Sequence, residues 1–200
     1  MKKLILICAS LLCLSACSFN VDNGPTFKNT APNNFMCELK VGWFNEEKGT
    51  LEIVDNDVYI NTFKKDSYNT SYFAHLKDGN YEYYTKDVLH NGDWVSYTPV
   101  VPTFSNMTTL DVINSLVGAI SSLYSDIFNV EVINGVKSSG TLNILGAETT
   151  IHNVGSKTYW YFEGINMFFK IYDESEQEWS CEVTHYQYYK HFDDSPFSNK

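Results

Sequence analysis

Side chains able to do chemistry are few in this chain, and their spacing matches no catalytic constellation. The five histidines, His75, His90, His152, His185 and His191, are scattered along the sequence. Only His185 and His191 fall near each other, and their separation suits no common zinc site. His185 falls on the apolar side of its segment, where a buried, hydrogen-bonded imidazole is the default reading. No His-Glu-x-x-His, Gly-x-Ser-x-Gly, P-loop or Gly-x-Gly-x-x-Gly run occurs. Asp55-Asn56-Asp57 opens like a calcium loop but lacks the glycine and glutamate that complete one, so it reads as a turn. Adjacent acids such as Glu46-Glu47 and Asp193-Asp194 read as solvated charge. This inventory implies neither a catalytic group nor a resident metal or cofactor, and the chain reads as non-enzymatic.

Sulfur is more informative. Met1-Lys2-Lys3 is a short positive start, and Leu4 to Leu14 is an apolar run broken only by Ser10. That run is shorter than the roughly 20 residues a membrane span needs, and it suits a secretory signal. It ends in Leu14-Ser15-Ala16-Cys17, which resembles the bacterial lipoprotein lipobox: an aliphatic residue, two small ones, then cysteine. The resemblance implies removal of residues 1–16 and a diacylglyceryl thioether on Cys17, with two or three acyl chains anchoring the protein. The alternative is an ordinary signal peptide cut after Ala16. Ser18 at the second mature position resembles the default signal for export to the outer membrane of a double-membrane bacterium. A single-membrane host stays equally open, so the localisation is the cell envelope, at the outer face of the cytoplasmic membrane or at the outer membrane.

Cys37 and Cys181 are the cysteines left in the folded part. Each sits on the apolar side of its strand, one in the first and one in the last. If those strands are neighbours in register, a disulfide would close a loop of about 145 residues, worth nominally 4–5 kcal/mol. Otherwise the two are buried thiols acting as small hydrophobes, which is the favoured reading.

The elements that must position these residues are mostly strands. The chain has 200 residues, a formal net charge of −10, and 14 Tyr, 13 Phe and 4 Trp. It is too apolar and aromatic for disorder, and its acidity argues against nucleic acid as a partner. Residues 17–34, rich in Asn and Pro, read as a flexible tether. Residues 35–190 read as one antiparallel α+β domain, and 191–200 as a disordered tail. From Phe35 the apolar residues recur with period two, through Cys37, Leu39 and Val41. Further short strands follow, split at Asp55-Asn56, Asp78-Gly79, Asn91-Gly92, Asn134-Gly135, Gly146 and Glu163-Gly164. In the last strand Trp179, Cys181, Val183 and His185 share the apolar side, and the alternation fails after His185. Ile113, Leu116, Val117, Ile120, Leu123, Tyr124 and Ile127 recur at helical spacing. With Thr108 and Asp111 as a capping box, they predict a helix from about Thr109 to Phe128.

Three stretches resemble the LolA/LolB-like lipoprotein-carrier superfamily: Asp78-Gly79-Asn80-Tyr81 to Trp94-Val95; Ile144 to Ile151; and Thr158-Tyr159-Trp160 through Met167 to Ile171. Asn166-Met167 departs from the family's usual Gly-aliphatic-Pro turn. The resemblance implies a curved antiparallel sheet, an open half-barrel covered by one long helix. A lipid or other apolar small molecule held between sheet and helix would then be lined by Leu116, Val117, Ile120, Tyr124, Trp160 and Phe169. The alternative is a monomeric cell-envelope interaction module that binds a protein or glycan through an exposed face.

Overall fold

Alternating side chains and two-residue turns carry most of the architecture. The computed structural model describes residues 24–41, 47–63, 69–99, 106–116, 121–188, 191, 192 and 194–197. The strands are β1 (Phe35–Val41), β2 (Glu47–Val54), β3 (Asp57–Phe63), β4 (Thr70–Lys77), β5 (Asn80–Lys86), β6 (Val95–Ser96), β7 (Gly140–Ile144), β8 (Ala147–Val154), β9 (Lys157–Phe162), β10 (Met167–Asp173) and β11 (Glu178–Tyr188). They form one 11-stranded sheet in the order β6-β5-β4-β3-β2-β1-β11-β10-β9-β8-β7. All neighbours are consecutive in sequence except β1 and β11. The sheet is thus two antiparallel meanders, sealed where the first strand pairs with the last.

Backbone dihedrals show why the turns fall where they do. Asp55 and Asn56 have φ of 50° and 73°, and Asp78 and Gly79 have 51° and 80°. Two consecutive left-handed residues match the twist of a two-residue hairpin, and Asn, Asp and Gly adopt them most readily. Asp57, just past the first turn, accepts the Leu76 N–H at 2.7 Å and a bond with His75 Nδ1 at 2.8 Å. The Asp55-Asn56-Asp57 run therefore serves the hairpin.

One face of the sheet is covered. Phe35, Cys37 and Leu39 of β1, Leu51 and Ile53 of β2, and Val58 and Ile60 of β3 are buried there. They share a core with Val112, Ile113 and Leu116. The expected half-barrel under one long helix is not what is found. Among the described residues the cover consists of two short helices, α1 (Thr109–Leu116) and α2 (Ser121–Asp126), and the sheet dominates the fold. Residues 117–120 lie outside the described residues. The far end stops early because the chain is needed elsewhere: the Ile127 carbonyl accepts the Phe168 N–H of β10 at 2.7 Å. Val130 to Ile133, the apolar run before the Asn134-Gly135 turn, is not a strand but a 3-10 turn that buries Val130 and Ile133. Residues three apart eclipse in that conformation, so a short apolar run can bury both.

The capping box forms at the start of α1. The Thr108 N–H donates to Asp111 Oδ2 at 2.8 Å, and the Asp111 N–H donates to Thr108 Oγ1 at 3.2 Å. Thr108→Ala should cost about 1 kcal/mol of stability. The check is the midpoint of guanidinium unfolding, and an unchanged midpoint would mean that the box adds nothing.

Two segments expected to be loose are seated on the domain. In the expected tether, Asn29 joins the 3-10 turn, its Oδ1 accepting the Glu131 N–H at 2.8 Å. The ring of Phe27 lies 4.7 Å from that of Tyr161. In the expected disordered tail, Phe192 lies 4.9 Å from Phe73 and Phe197 lies 4.7 Å from His75. In each case single aromatics in a polar stretch find partners far away in sequence.

Candidate functional site

The described core residues named for an apolar cavity, Leu116, Tyr124 and Phe169, are packed rather than lining an open one. Leu116 and Phe169 have no exposed surface and Tyr124 only 2 %. A side chain that water cannot touch faces no empty space. The three belong to the core under the helices, while Trp160 pairs with Lys170 on the opposite face of the sheet. Cys17, Val117 and Ile120 lie outside the described residues.

Cys37 and Cys181 are both buried and free. Their strands are neighbours, as a disulfide would need, but the register is wrong. Cys37 faces Tyr186, Leu39 faces Val183, and Cys181 lies two residues beyond Val183. Burial raises the pKa of both thiols. They remain small hydrophobes of the core.

Three one-residue bulges decide what the uncovered face displays. Each leaves one extra residue in a strand, so the side chains beyond it change face. Opposite Glu38 and Leu39 the extra residue is Thr184. His185 is thereby turned outward opposite Glu38, exposed rather than buried, and Tyr186 is turned inward. Opposite Ile171 and Tyr172 the extra residue is Ser180, which moves Trp179 off the face of Cys181 and places it beside Tyr172. In β10 the extra residue is Phe169. Sequence alternation put Trp179 and His185 on the apolar side, and the only signal against it was the loss of alternation after His185.

The consequence is an open aromatic cluster on β9–β11. Trp179 is 39 % exposed. Its ring lies 5.5 Å from that of Trp160 and 4.9 Å from that of Tyr172. The Lys170 ammonium sits 4.8 Å from the Trp179 ring and pairs with Glu182. Large apolar surface beside neutralised charge is how a protein stacks against a partly polar ring.

At β3–β5 the same face carries a second aromatic cluster, but the C-terminal segment covers it. Phe73 is packed by Trp94, Phe192 and Phe197. Asp194 holds the segment down, accepting from Lys86 Nζ at 2.8 Å and from Trp94 Nε1 at 3.3 Å. Beside it opens a cleft of about 550 Å³ whose walls include Tyr59, Asn61, Ser71, Lys86 and Asp194. A smaller cleft of about 230 Å³ includes Glu38, Thr50, Asn61 and Thr184. A third, of about 460 Å³, lies where the N-terminal segment crosses β8 and β9 and includes Phe27, Thr150, His152 and Tyr161.

His152, at the wall of that third cleft, is the buried histidine. Its Nδ1 lies 3.1 Å from the Val136 carbonyl and its Nε2 lies 2.9 Å from Thr150 Oγ1. The ring can donate to the carbonyl from Nδ1 and accept the hydroxyl proton at Nε2. Burial lowers its pKa, outweighing the opposing bond to Val136. A satisfied neutral ring of this kind is a structural group. Among the described residues no group of three or more His, Cys, Asp or Glu side chains could hold a metal ion. No described helix is long and apolar enough to cross a membrane. No protein-family model matches the chain, and the search of curated proteins finds no match.

Proposed function

We propose that this chain is a lipid-anchored protein of the bacterial cell envelope whose folded domain is a non-enzymatic interaction module that binds a glycan. The observation that carries this reading is the open cluster of Trp160, Tyr172 and Trp179, turned outward by a bulge and flanked by the Lys170–Glu182 pair. A sugar ring has apolar C–H faces and a polar rim. It can stack on an indole while its hydroxyls reach neighbouring charged groups. Anchoring rests on the match of Leu14-Ser15-Ala16-Cys17 to a lipobox. The alternative, an apolar ligand held between sheet and helices, loses its support in the packing of Leu116 and Phe169, which have no exposed surface.

Two measurements test the reading on the full-length protein. Cys17→Ala should move it from the membrane fraction to the soluble fraction. Wild-type protein that is soluble with an unmodified N-terminus would refute the anchor. Titration with chitohexaose, a neutral oligosaccharide, should quench or shift tryptophan emission saturably. Trp179→Ala should weaken binding by about tenfold or more, equivalent to 1.4 kcal/mol. No saturable change with the fold intact would assign the open face to a protein partner instead.

A further inference from the structure

Building on the glycan reading, we propose that the bound glycan is a linear, uncharged chain lying across the strands, from the Trp179 cluster on β10 and β11 to the cleft beside Ser71 on β4, with Asn61 on its track. A single terminal sugar would need only the Trp179 cluster. The open face offers more than that.

The two clefts on this face meet at Asn61, which lines both. The strand register explains why they are continuous. Glu38 pairs with Thr50, Thr50 with Asn61, Asn61 with Ser71, and Ser71 with Lys86. These residues form one row perpendicular to the strands, on the face away from the helices. The row reaches β11 through Thr184, the bulge residue, whose hydroxyl donates to the Glu38 carbonyl at 3.4 Å. Next to it runs a second row, in which Lys40 pairs with Glu182, and Glu182 with Lys170. Lys170 lies over Trp179. The path from the tryptophan to the polar row is therefore unbroken. From β10 to β4 it crosses five strand spacings, about 24 Å in all, which is longer than one sugar ring.

The chemistry of the row selects the ligand. Its centre consists of hydroxyl and amide groups, Thr50, Asn61 and Thr184, which donate and accept equally well and so match sugar hydroxyls; Ser71, buried beside them, accepts from Asn61 Nδ2 at 2.9 Å and holds that amide in place. Of the lysines on this face, Lys86 pairs with Asp194 and Lys170 with Glu182, while Lys40 and Lys48 face each other beside the row. The chain has no arginine and a net charge of −10. A phosphorylated or uronic polymer would be repelled by that net negative charge, and a neutral one would not. An extended peptide would find no free strand edge along this path to pair with.

The test compares chitobiose with chitohexaose on the full-length protein in detergent, followed by tryptophan emission. If the glycan lies across the strands, the hexamer binds about tenfold or more tightly than the dimer. Asn61→Ala removes most of that advantage and leaves chitobiose binding unchanged, and Ser71→Ala does the same. Circular dichroism confirms that each variant is folded, and either variant suffices if the other is not. Trp179→Ala weakens both sugars. Equal affinity for dimer and hexamer, with Trp179→Ala still damaging, would overturn the track while leaving the glycan reading in place. Binding of neither sugar would overturn both.

Discussion

Leu116→Asp is expected to destabilise the protein by about 4 kcal/mol or more. Leu116 is fully buried on α1, alongside Val112 and Ile113, against the core face of the sheet. Two costs add there. Removing a buried leucine side chain forfeits its transfer free energy and leaves a cavity, together on the order of 3 kcal/mol. A carboxylate in the same place must also be desolvated, with no cation among the core residues to receive it. The introduced acid would respond by raising its pKa. The variant should therefore recover part of its loss as pH falls and the group becomes neutral, the opposite of an acid that gains a salt bridge on folding. Chemical denaturation at neutral and mildly acidic pH measures both effects. A loss under about 0.5 kcal/mol at neutral pH would mean that this helix face is exposed and the packing described here is wrong.

The second large effect is expected at Gly49, in the middle of β2. Alanine normally outperforms glycine in a strand by roughly 0.5–1 kcal/mol, because it loses less freedom on folding. Here the sign should reverse. A Cβ on Gly49 would lie 1.6 Å from the Tyr124 hydroxyl oxygen, 2.7 Å from its ring carbon and 2.9 Å from the Asn61 carbonyl. Tyr124 comes from α2, lies over the glycine and donates to the Asn61 carbonyl at 3.2 Å. The bare backbone of Gly49 is the seat for that ring, much as aromatic residues elsewhere cover glycines in sheets. Gly49→Ala must lift Tyr124 out of the core, losing its burial and its hydrogen bond, for a net cost of about 2–4 kcal/mol. A double-mutant cycle isolates the cause. In a Tyr124→Ala background most of the penalty should vanish, leaving only the contact with the Asn61 carbonyl and a coupling above about 1.5 kcal/mol. Additive effects would place the cost elsewhere. Gly49 does not have a positive φ, so the requirement is one of space.

These two sites differ in how far they could be read from sequence. Leu116 stood out because helical spacing of apolar residues is a local property, and the Thr108–Asp111 box announced where that spacing begins. Gly49 carried no such signal. Its role depends on a side chain from α2 and a carbonyl from β3, and nothing local brings the three together. The Thr109–Phe128 periodicity was real but extended too far, because periodicity does not report a competing backbone partner such as the Phe168 N–H.

The same division runs through the candidate site. Period-two alternation and left-handed turn residues place most of the strands, since each strand's faces are set by its own pleat. A bulge breaks that rule by inserting one residue, and it exists only relative to the neighbouring strand. Thus Trp179 and His185 read as inward-facing and stand outward, while Tyr186 reads as outward-facing and stands inward. The adjacency of β1 and β11, the offset that keeps Cys37 and Cys181 apart, and the seating of Phe27, Phe192 and Phe197 on distant aromatics are pairings between remote parts of the chain. By itself the sequence determined most of the strands and their turns and the absence of any recognised catalytic motif, because these follow from neighbours within a few residues. Only the tertiary structure decided which aromatics are displayed and which are packed, because that choice is made by register between strands up to about 150 residues apart, where each slip of one residue exchanges the two faces.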